Sequence, residues 1–256
     1  MLPPADLMVI CLQVATERRA ALIKRIRLAV GKSGRGHEEF SRRWRAAVAA
    51  AASAPEPARP VRLTVSMALR EVAADQEYDG IALEWFTTEE HLLRYEAWLR
   101  TTDGQEQERL LGEAIELETS PVVVSDERVV RGAEWLERRW QDAGPKLKQL
   151  AIARRADGLT LPQFLELWRS RAGSIGSAPI PEAFRGLAYI QNHPRAMAGR
   201  DWAYDAVNEV YFDDAESLLA RIEYFERELG DRGESDLISA NSFLAVREEP
   251  LKLPAK

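Results

Sequence analysis

The chain carries the same pattern of residues twice. The segment 78–86 begins with Tyr-Asp, contains a glutamate and ends in Phe, and it recurs as 204–212. We take Glu84 and Glu209 as the matching acidic residues. Upstream, Phe-x-x-x-Trp-Arg also occurs twice, in 40–45 and in 164–169. Two such blocks in the same order and at nearly the same separation rarely arise by chance, so the sequence predicts two copies of one module.

Each copy predicts the order strand, helix, strand, strand, helix, strand from its hydrophobic periodicity and its capping signals. The predicted segments of the first copy are 23–30, 40–54, 61–69, 80–86, 90–99 and 122–124. Those of the second copy are 147–154, a helix that begins after Thr160, 186–191, 207–212, a helix that ends near Leu229, and 241–247. A helix over 134–141 and the breaker Gly144-Pro145 separate the copies. We therefore predict a first repeat over residues 1–143 and a second over 144–256.

This order of elements is the ferredoxin-like βαββαβ pattern, an antiparallel sheet with both helices on one face. A single unit would leave the other face of its sheet bare and apolar. Two units in one chain can bury those faces against each other. The predicted fold is therefore α+β, an intrachain dimeric α+β barrel of two ferredoxin-like repeats with the helices outside.

Charge and cysteine content narrow the class of protein. The net charge of -6 and the pI of about 5.4 argue against a nucleic-acid binder, because phosphate affinity requires clustered Lys and Arg. Cys11 is the single cysteine, so neither an intrachain disulfide nor a cysteine-based metal cluster is expected. The apolar run 7–12 is too short to span a bilayer. We expect a cytoplasmic protein without a membrane partner; the segment 7–21 is a strand or a helix, and its arginine-rich end favours a helix.

The second copy resembles the EthD family of the dimeric α+β barrel superfamily. The resemblance is carried by Gly-Leu-Thr-Leu-Pro-Gln-Phe at 158–164, Trp168-Arg169, Tyr-Ile-Gln-Asn-His at 189–193 and Tyr-Asp-Ala-Val-Asn-Glu at 204–209. It covers about 146–249 and returns in weaker form over 23–124. The superfamily includes cofactor-free aromatic polyketide cyclases, anthrone monooxygenases, dehydratases and haem-degrading enzymes. The resemblance thus implies a fold more strongly than a reaction, and it implies a pocket between sheet and helices.

One departure from the family pattern bears on mechanism. Relatives commonly carry a histidine, a small residue and a proline shortly after the Trp-Arg pair. Here Trp168-Arg169 is followed by Ser-Arg-Ala-Gly-Ser, and the corresponding region of the first copy also lacks histidine. A mechanism that depends on that histidine is therefore not available to this chain.

His193 is the strongest catalytic candidate, because an imidazole at the end of a strand could accept a proton at neutral pH. Strand alternation places it on one face with Tyr189, while Glu209 and Tyr211 share a face of the neighbouring strand. If the two faces coincide, Glu209 orients the imidazole and Tyr189 donates to an oxyanion. The alternatives are that His193 caps its strand and that Glu209 is a structural carboxylate matched by Glu84.

Further residues could bind a substrate or fill the core. The candidate substrate-binding residues are Trp168, Asn192, Trp202 and Tyr211. Aromatic core filling is the alternative for the three aromatic residues. The three histidines, His37, His91 and His193, are far apart in sequence and lack ligand spacing, so neither a metal nor a cofactor is expected. His37 and His91 stand at helix starts among acidic residues and are expected to be exposed.

Two hypotheses of different class follow. The first is a cofactor-independent enzyme of the cyclase, dehydratase (lyase) or monooxygenase type. It would act on a hydrophobic, aromatic or polyketide-like molecule bound once per chain, in the second copy. The second is a non-catalytic barrel that binds a small molecule or a protein partner. A homodimer of the whole barrel is left open.

Overall fold

A computed structural model describes residues 22–141, 144–172, 174–175, 178–230 and 236–254. Over these residues the chain forms eight antiparallel strands that close into a barrel, with six α-helices around it and a separate two-stranded hairpin. The barrel strands are β1 (Ile23–Ala29), β2 (Arg62–Ala68), β3 (Gly80–Phe86), β4 (Val122–Arg131), β5 (Lys146–Arg155), β8 (Ala188–Pro194), β9 (Ala206–Phe212) and β10 (Ile238–Pro250). The hairpin strands are β6 (Ser174–Ile175) and β7 (Ala178–Pro179).

The helices are α1 (His37–Ala49), α2 (Glu89–Trp98), α3 (Thr102–Ala114), α4 (Ala133–Arg139), α5 (Leu161–Ser170) and α6 (Ala215–Gly230). The segment 7–21 and the boundary predicted near residue 143 lie outside the described residues. The helix α3 was not predicted.

The barrel runs β4-β1-β3-β2 through the first half and β10-β5-β9-β8 through the second, and β8 closes onto β4. Both halves therefore place their strands in the same order, and the predicted closed barrel is confirmed. The last strand of each half is longer than predicted because it serves both halves. Residues 122–126 of β4 pair with β1, and residues 125–131 pair with β8 of the other half.

Alternation along each strand separates an outer layer from the barrel interior. On β2, Leu63, Val65 and Met67 face outward and form one cluster with Phe40 and Trp44 of α1. The segment predicted over 61–69 thus forms a strand with an apolar outer face, and Trp44 is a core residue. Another apolar cluster, which includes side chains from β1, β3, β5, β9 and β10, fills part of the barrel.

The rest of the interior is ionic, which the sequence did not predict. We call this set the barrel ion network: Lys24, Glu127, Arg139, Lys148, Glu209 and Glu248. Nζ of Lys24 lies 2.5 Å from Oε1 of Glu209, and Nζ of Lys148 lies 2.8 Å from Oε2 of the same carboxylate. Lys148 also bonds to Glu248 and Lys24 to Glu127. Three cations thus face three anions, and both lysines and Glu209 are fully buried.

Aromatic and basic residues close the two ends of the barrel. At the ionic end, Arg139 of α4 reaches Glu248, and Trp140 packs edge-on against Trp85 with 5.3 Å between ring centroids. At the other end, the hydroxyls of Tyr78 and Tyr204 lie 2.5 Å apart, one from each half. Side chains therefore cover the polar interior at both ends of the barrel.

The Tyr-Asp pairs of the repeated segment lie in matching turns. Oδ2 of Asp79 accepts the backbone N–H of Gly31 at 2.8 Å, and Oδ2 of Asp205 accepts that of Arg155 at 2.9 Å. Each aspartate thus bonds to the backbone close to the end of the first strand of its own half.

Glu84 and Glu209, in contrast, are not equivalent. Glu84 follows its tyrosine by six residues and Glu209 by five, so strand alternation turns them to opposite faces. Glu84 bonds to Arg25 and to Tyr95 of α2 on the outer face, whereas Glu209 lies inside the barrel. The match made from sequence was wrong by one residue.

His91 corrects a second expectation. Its side chain is buried at the start of α2, and Nε2 lies 2.8 Å from the carbonyl oxygen of Arg59. His37 is exposed, as expected.

The barrel ion network predicts a large effect of one substitution. Burial alone would raise the pKa of Glu209, but Lys148 and Lys24 outweigh burial and hold it well below the usual value. Glu209→Gln keeps the size of the side chain and removes the charge that both buried lysines share. We expect the free energy of unfolding to fall by about 3 kcal/mol in urea denaturation.

The matched control is Glu113→Gln, which removes an exposed partner of Arg109 and should cost less than about 1 kcal/mol. Equal stability of the two variants would contradict the importance of the network.

Candidate functional site

The candidate site lies on the outer face of β8 and β9, beneath α5. A capping box between Thr160 and Gln163 starts α5. Among the α5 side chains only Phe164 is buried, whereas α1 buries four of its residues at the matching place in the first half. The outer layer of the second half is therefore covered less tightly than that of the first.

Six polar or amphipathic side chains form one hydrogen-bonded set in this layer, which we call the Tyr189 network: Trp168, Arg169, Tyr189, Gln191, His193 and Asn208. Two come from α5, three from alternate positions of β8 and one from β9. Tyr189, Gln191 and His193 share a face of β8, as strand alternation predicted.

The network has two chains of hydrogen bonds, or arms, that meet at Tyr189. In the first arm, which starts at Arg169, the chemistry of the groups fixes the direction of each hydrogen bond. Arg169 can only donate, so Nδ1 of His193, 3.3 Å from its Nε, must accept. The proton of a neutral imidazole then lies on Nε2, which donates to Oε1 of Gln191 at 3.2 Å. The amide nitrogen of Gln191 donates in turn to the hydroxyl oxygen of Tyr189 at 3.1 Å.

A second arm reaches the same oxygen from the other side. Nε1 of Trp168 donates to Oδ1 of Asn208 at 3.2 Å, and Nδ2 of Asn208 donates to the Tyr189 hydroxyl at 3.0 Å. Tyr189 therefore accepts two hydrogen bonds, and no described residue accepts its own proton. Burial raises the pKa of Tyr189 although Gln191 opposes the shift, so the phenol is protonated at neutral pH. Its O–H is free to donate to a bound molecule.

The first half carries no such network. Strand register matches Gln191 with Val65, because each stands opposite the same position of the neighbouring strand. By the same register, Tyr189, His193 and Asn208 correspond to apolar residues of the first half: Leu63, Met67 and Ala82. These are core residues under α1. These positions are therefore apolar in the first half and polar in the second, although the strand order of the two halves is the same.

His193 is held neutral by its surroundings. Burial, Arg169 and Arg128 lower its pKa from 6.5 to about 4. Its basic nitrogen already accepts from Arg169. In this arrangement the imidazole is a poor base at neutral pH, which corrects the expectation that it accepts a proton there.

The polar set predicted from sequence does not form. Glu209 lies in the barrel interior, on the opposite side of the sheet from Tyr189 and His193. Two predicted substrate-binding residues are also interior, since Asn192 donates to Glu209 at 3.0 Å and Tyr211 donates to it at 2.9 Å. The sheet itself separates these three residues from the outer layer.

Trp202, also predicted to bind substrate, lines a neighbouring cleft of about 370 Å³. The cleft lies between the start of α5 and the loop that follows His193, and its other walls include Leu161, Met197 and Arg155. Nε1 of Trp202 donates to the carbonyl oxygen of Arg195 at 2.7 Å, which fixes the indole in the loop. A small planar molecule can be accommodated against this wall.

Sequence reasoning missed Arg169, Gln191 and Asn208 as members of the site. Arg169 was noticed only as part of the repeated Trp-Arg motif. The polar pair Gln191 and Asn208 had a detectable signal, because each stands where the first half has an apolar residue. That signal requires the correct alignment of the two halves, which strand register supplies.

Within the described segments every helix is too short or too polar to span a bilayer. No group of three His, Cys, Asp or Glu side chains in these segments is arranged to hold a metal ion.

Comparisons with known proteins find solved structures of similar fold at low sequence identity. No family model matches the chain, and no curated protein matches it. A proposed monooxygenase from Fusobacterium nucleatum is similar in structure with a TM-score of 0.49 and 12% identity, over 93% of this chain and 96% of that one. For a proposed monooxygenase from Lactobacillus acidophilus the TM-score is 0.46 and the identity 10%, over 93% and 99%. For a mutant chlorite dismutase from Candidatus Nitrospira defluvii they are 0.44 and 11%, over 91% and 94%. The function is therefore inferred from the chain's own residues.

The Tyr189 network predicts the state of His193 in solution. NMR should find the proton on Nε2 and a pKa near 4, assigned by comparison with His193→Gln. Arg169→Met should raise this pKa, because the guanidinium is the second cause of its depression. The pKa of His193 is lower in the folded than in the unfolded protein. The neutral imidazole therefore contributes to the free energy of unfolding above pH 6.5, and this contribution is lost as the pH falls towards 4. A histidine that titrates near pH 6.5 in the wild type would contradict the network.

Proposed function

We propose that the second half binds a hydrophobic small molecule that carries a carbonyl or enol oxygen, and that Tyr189 donates a hydrogen bond to that oxygen. The observation that supports this most directly is the convergence of both arms on the Tyr189 hydroxyl. A phenol that accepts two hydrogen bonds and has no acceptor for its own proton is oriented towards an acceptor from outside. An aromatic or polyketide-like ligand suits the indole of Trp168, which bonds to Asn208 next to the Tyr189 hydroxyl.

The proposed chemistry is a cofactor-independent reaction of the cyclase or dehydratase (lyase) type that passes through an enolate. Donation from Tyr189 stabilises negative charge as it develops on the ligand oxygen, in a partly buried site where such donors are most effective. Arg169 adds a cation at the other end of the first chain of hydrogen bonds, where it donates to His193. A ligand anion that attracts the guanidinium of Arg169 would release Nδ1 of His193, and the imidazole could then accept the proton that enolisation liberates.

The two halves are proposed to be copies of one module, with repeats over 1–143 and 144–256. Their shared strand order and the matching aspartates, Asp79 and Asp205, support this proposal. The first copy is proposed to have lost the site, since its matching positions are apolar. One ligand per chain is therefore expected.

A non-catalytic binding protein is the alternative, and one observation favours it. The basic nitrogen of His193 is engaged by Arg169, and no other group of the Tyr189 network is a base at neutral pH. The same surface would then retain a ligand without converting it. Binding without conversion of any enolisable aromatic ketone by the wild type would support this alternative.

Removal of the Tyr189 hydroxyl gives the direct test. Emodin, a planar aromatic polyketide with ring carbonyls, is a suitable probe. Tyr189→Phe should weaken its binding in calorimetry by about fivefold, since one hydrogen bond contributes about 1 kcal/mol. The wild type should bind one equivalent per chain.

Tyr224→Phe is the control for this test. It removes the hydroxyl of a tyrosine that stacks on Phe184 outside the network and should leave binding unchanged. Two equivalents per chain, or equal affinity of Tyr189→Phe and wild type, would refute the proposed site.

A further inference from the structure

We propose that the first half carries a separate anion-binding site centred on Arg27, on the outer face of β1. Arg25 and Arg27 stand two residues apart on this face, and both residues are more than nine-tenths buried, with 7% and 9% exposed. The proposed site is independent of the Tyr189 network, which lies in the other half of the barrel.

Arg25 already has a counterion. Its Nη1 lies 2.6 Å from Oε2 of Glu84. The other oxygen of Glu84 accepts from the hydroxyl of Tyr95 at 2.9 Å, and that hydroxyl also lies 3.0 Å from Oε1 of Gln107 on α3. Both oxygens of the Glu84 carboxylate are thus engaged, and its charge is matched by Arg25.

Arg27 has no equivalent partner. Among the described residues none accepts a hydrogen bond from its guanidinium or forms an ion pair with it. Glu84 of β3 and Glu108 of α3 are close enough to influence Arg27 electrostatically, but neither bonds to it. Burial and the neighbouring Arg25 lower the pKa of Arg27 to about 10, so it is still charged at neutral pH. A buried guanidinium without a counterion is energetically costly, and a bound anion would remove that cost.

The barrel itself does not require this cation. Strand register places Ala82 and Val122 on either side of Arg27, and the matching position of the second half is Ala151. A charged residue at a position that the scaffold can fill with alanine points to a ligand. The planar guanidinium suits a small oxyanion, either a carboxylate or a phosphate group, which it can bind through two parallel hydrogen bonds.

The experiment is thermal unfolding of the full chain in phosphate, in acetate and in chloride at equal ionic strength. An anion that binds only the folded state raises the Tm with concentration. We expect phosphate or acetate to raise the Tm of the wild type by several degrees above chloride, and the more effective anion identifies the class. Arg27→Gln should abolish the difference. Arg27→Lys should reduce it, and this variant keeps the charge if the glutamine variant does not fold.

Glu108→Gln tests whether the anion that Arg27 binds comes from solution or is the carboxylate of Glu108 itself. If the site binds an external oxyanion, removal of this competing carboxylate should increase the Tm response. No response of the wild type beyond that in chloride would overturn the proposal. So would a response that survives in Arg27→Gln, or a loss of stability in Glu108→Gln as large as that in Arg27→Gln, since Glu108 would then be the natural partner of Arg27.

Discussion

The rest of the structure depends on the fully buried carboxylate of Glu209, which lies between Lys24 and Lys148. Lys24 belongs to β1 of the first half and Lys148 to β5 of the second, so one carboxylate joins the central strands of both. Buried charges tolerate little displacement, because any lost partner leaves an uncompensated ion in a medium of low dielectric. The network therefore fixes how the halves meet. Once the barrel is closed, its interior is occupied, and the outer layer under the helices is where we propose that a ligand binds.

That outer layer differs between the halves although the strand order does not. Under α1 the sheet presents Leu63, Val65 and Met67 to a tightly packed helix. Under α5 the matching strand presents Tyr189, Gln191 and His193, and the helix buries a single side chain. Apolar residues would stabilise this position more simply, as the first half demonstrates. Polar residues in their place are the basis of the proposed ligand site, and the same reasoning applied to Arg27 leads to the proposed anion site of the first half.

The Tyr189 network is useful because its hydrogen bonds have a single direction. Arg169 cannot accept and the indole of Trp168 cannot accept, so both arms must donate towards the phenol. The result is a neutral histidine, a protonated tyrosine and one free O–H. This arrangement suits the proposed polarisation of a carbonyl better than unaided proton abstraction, because His193 is already bonded to Arg169.

The sequence by itself determined the elements of the fold and their order, since periodicity, capping residues and the repeated segments are local signals. It also determined the alternation that puts Tyr189 and His193 on one face of β8. It did not predict α3, because the few apolar residues of that helix stand among charged and polar ones. Nor did it predict the lengths of β4 and β10, which are set by pairing with the other half. Tertiary structure alone decided which face of each strand lies inside the barrel. A shift of one residue between Glu84 and Glu209 puts them on opposite faces of their strands. The sequence contains that shift, but which face is interior depends on closure of the barrel, through contacts between residues far apart in the chain.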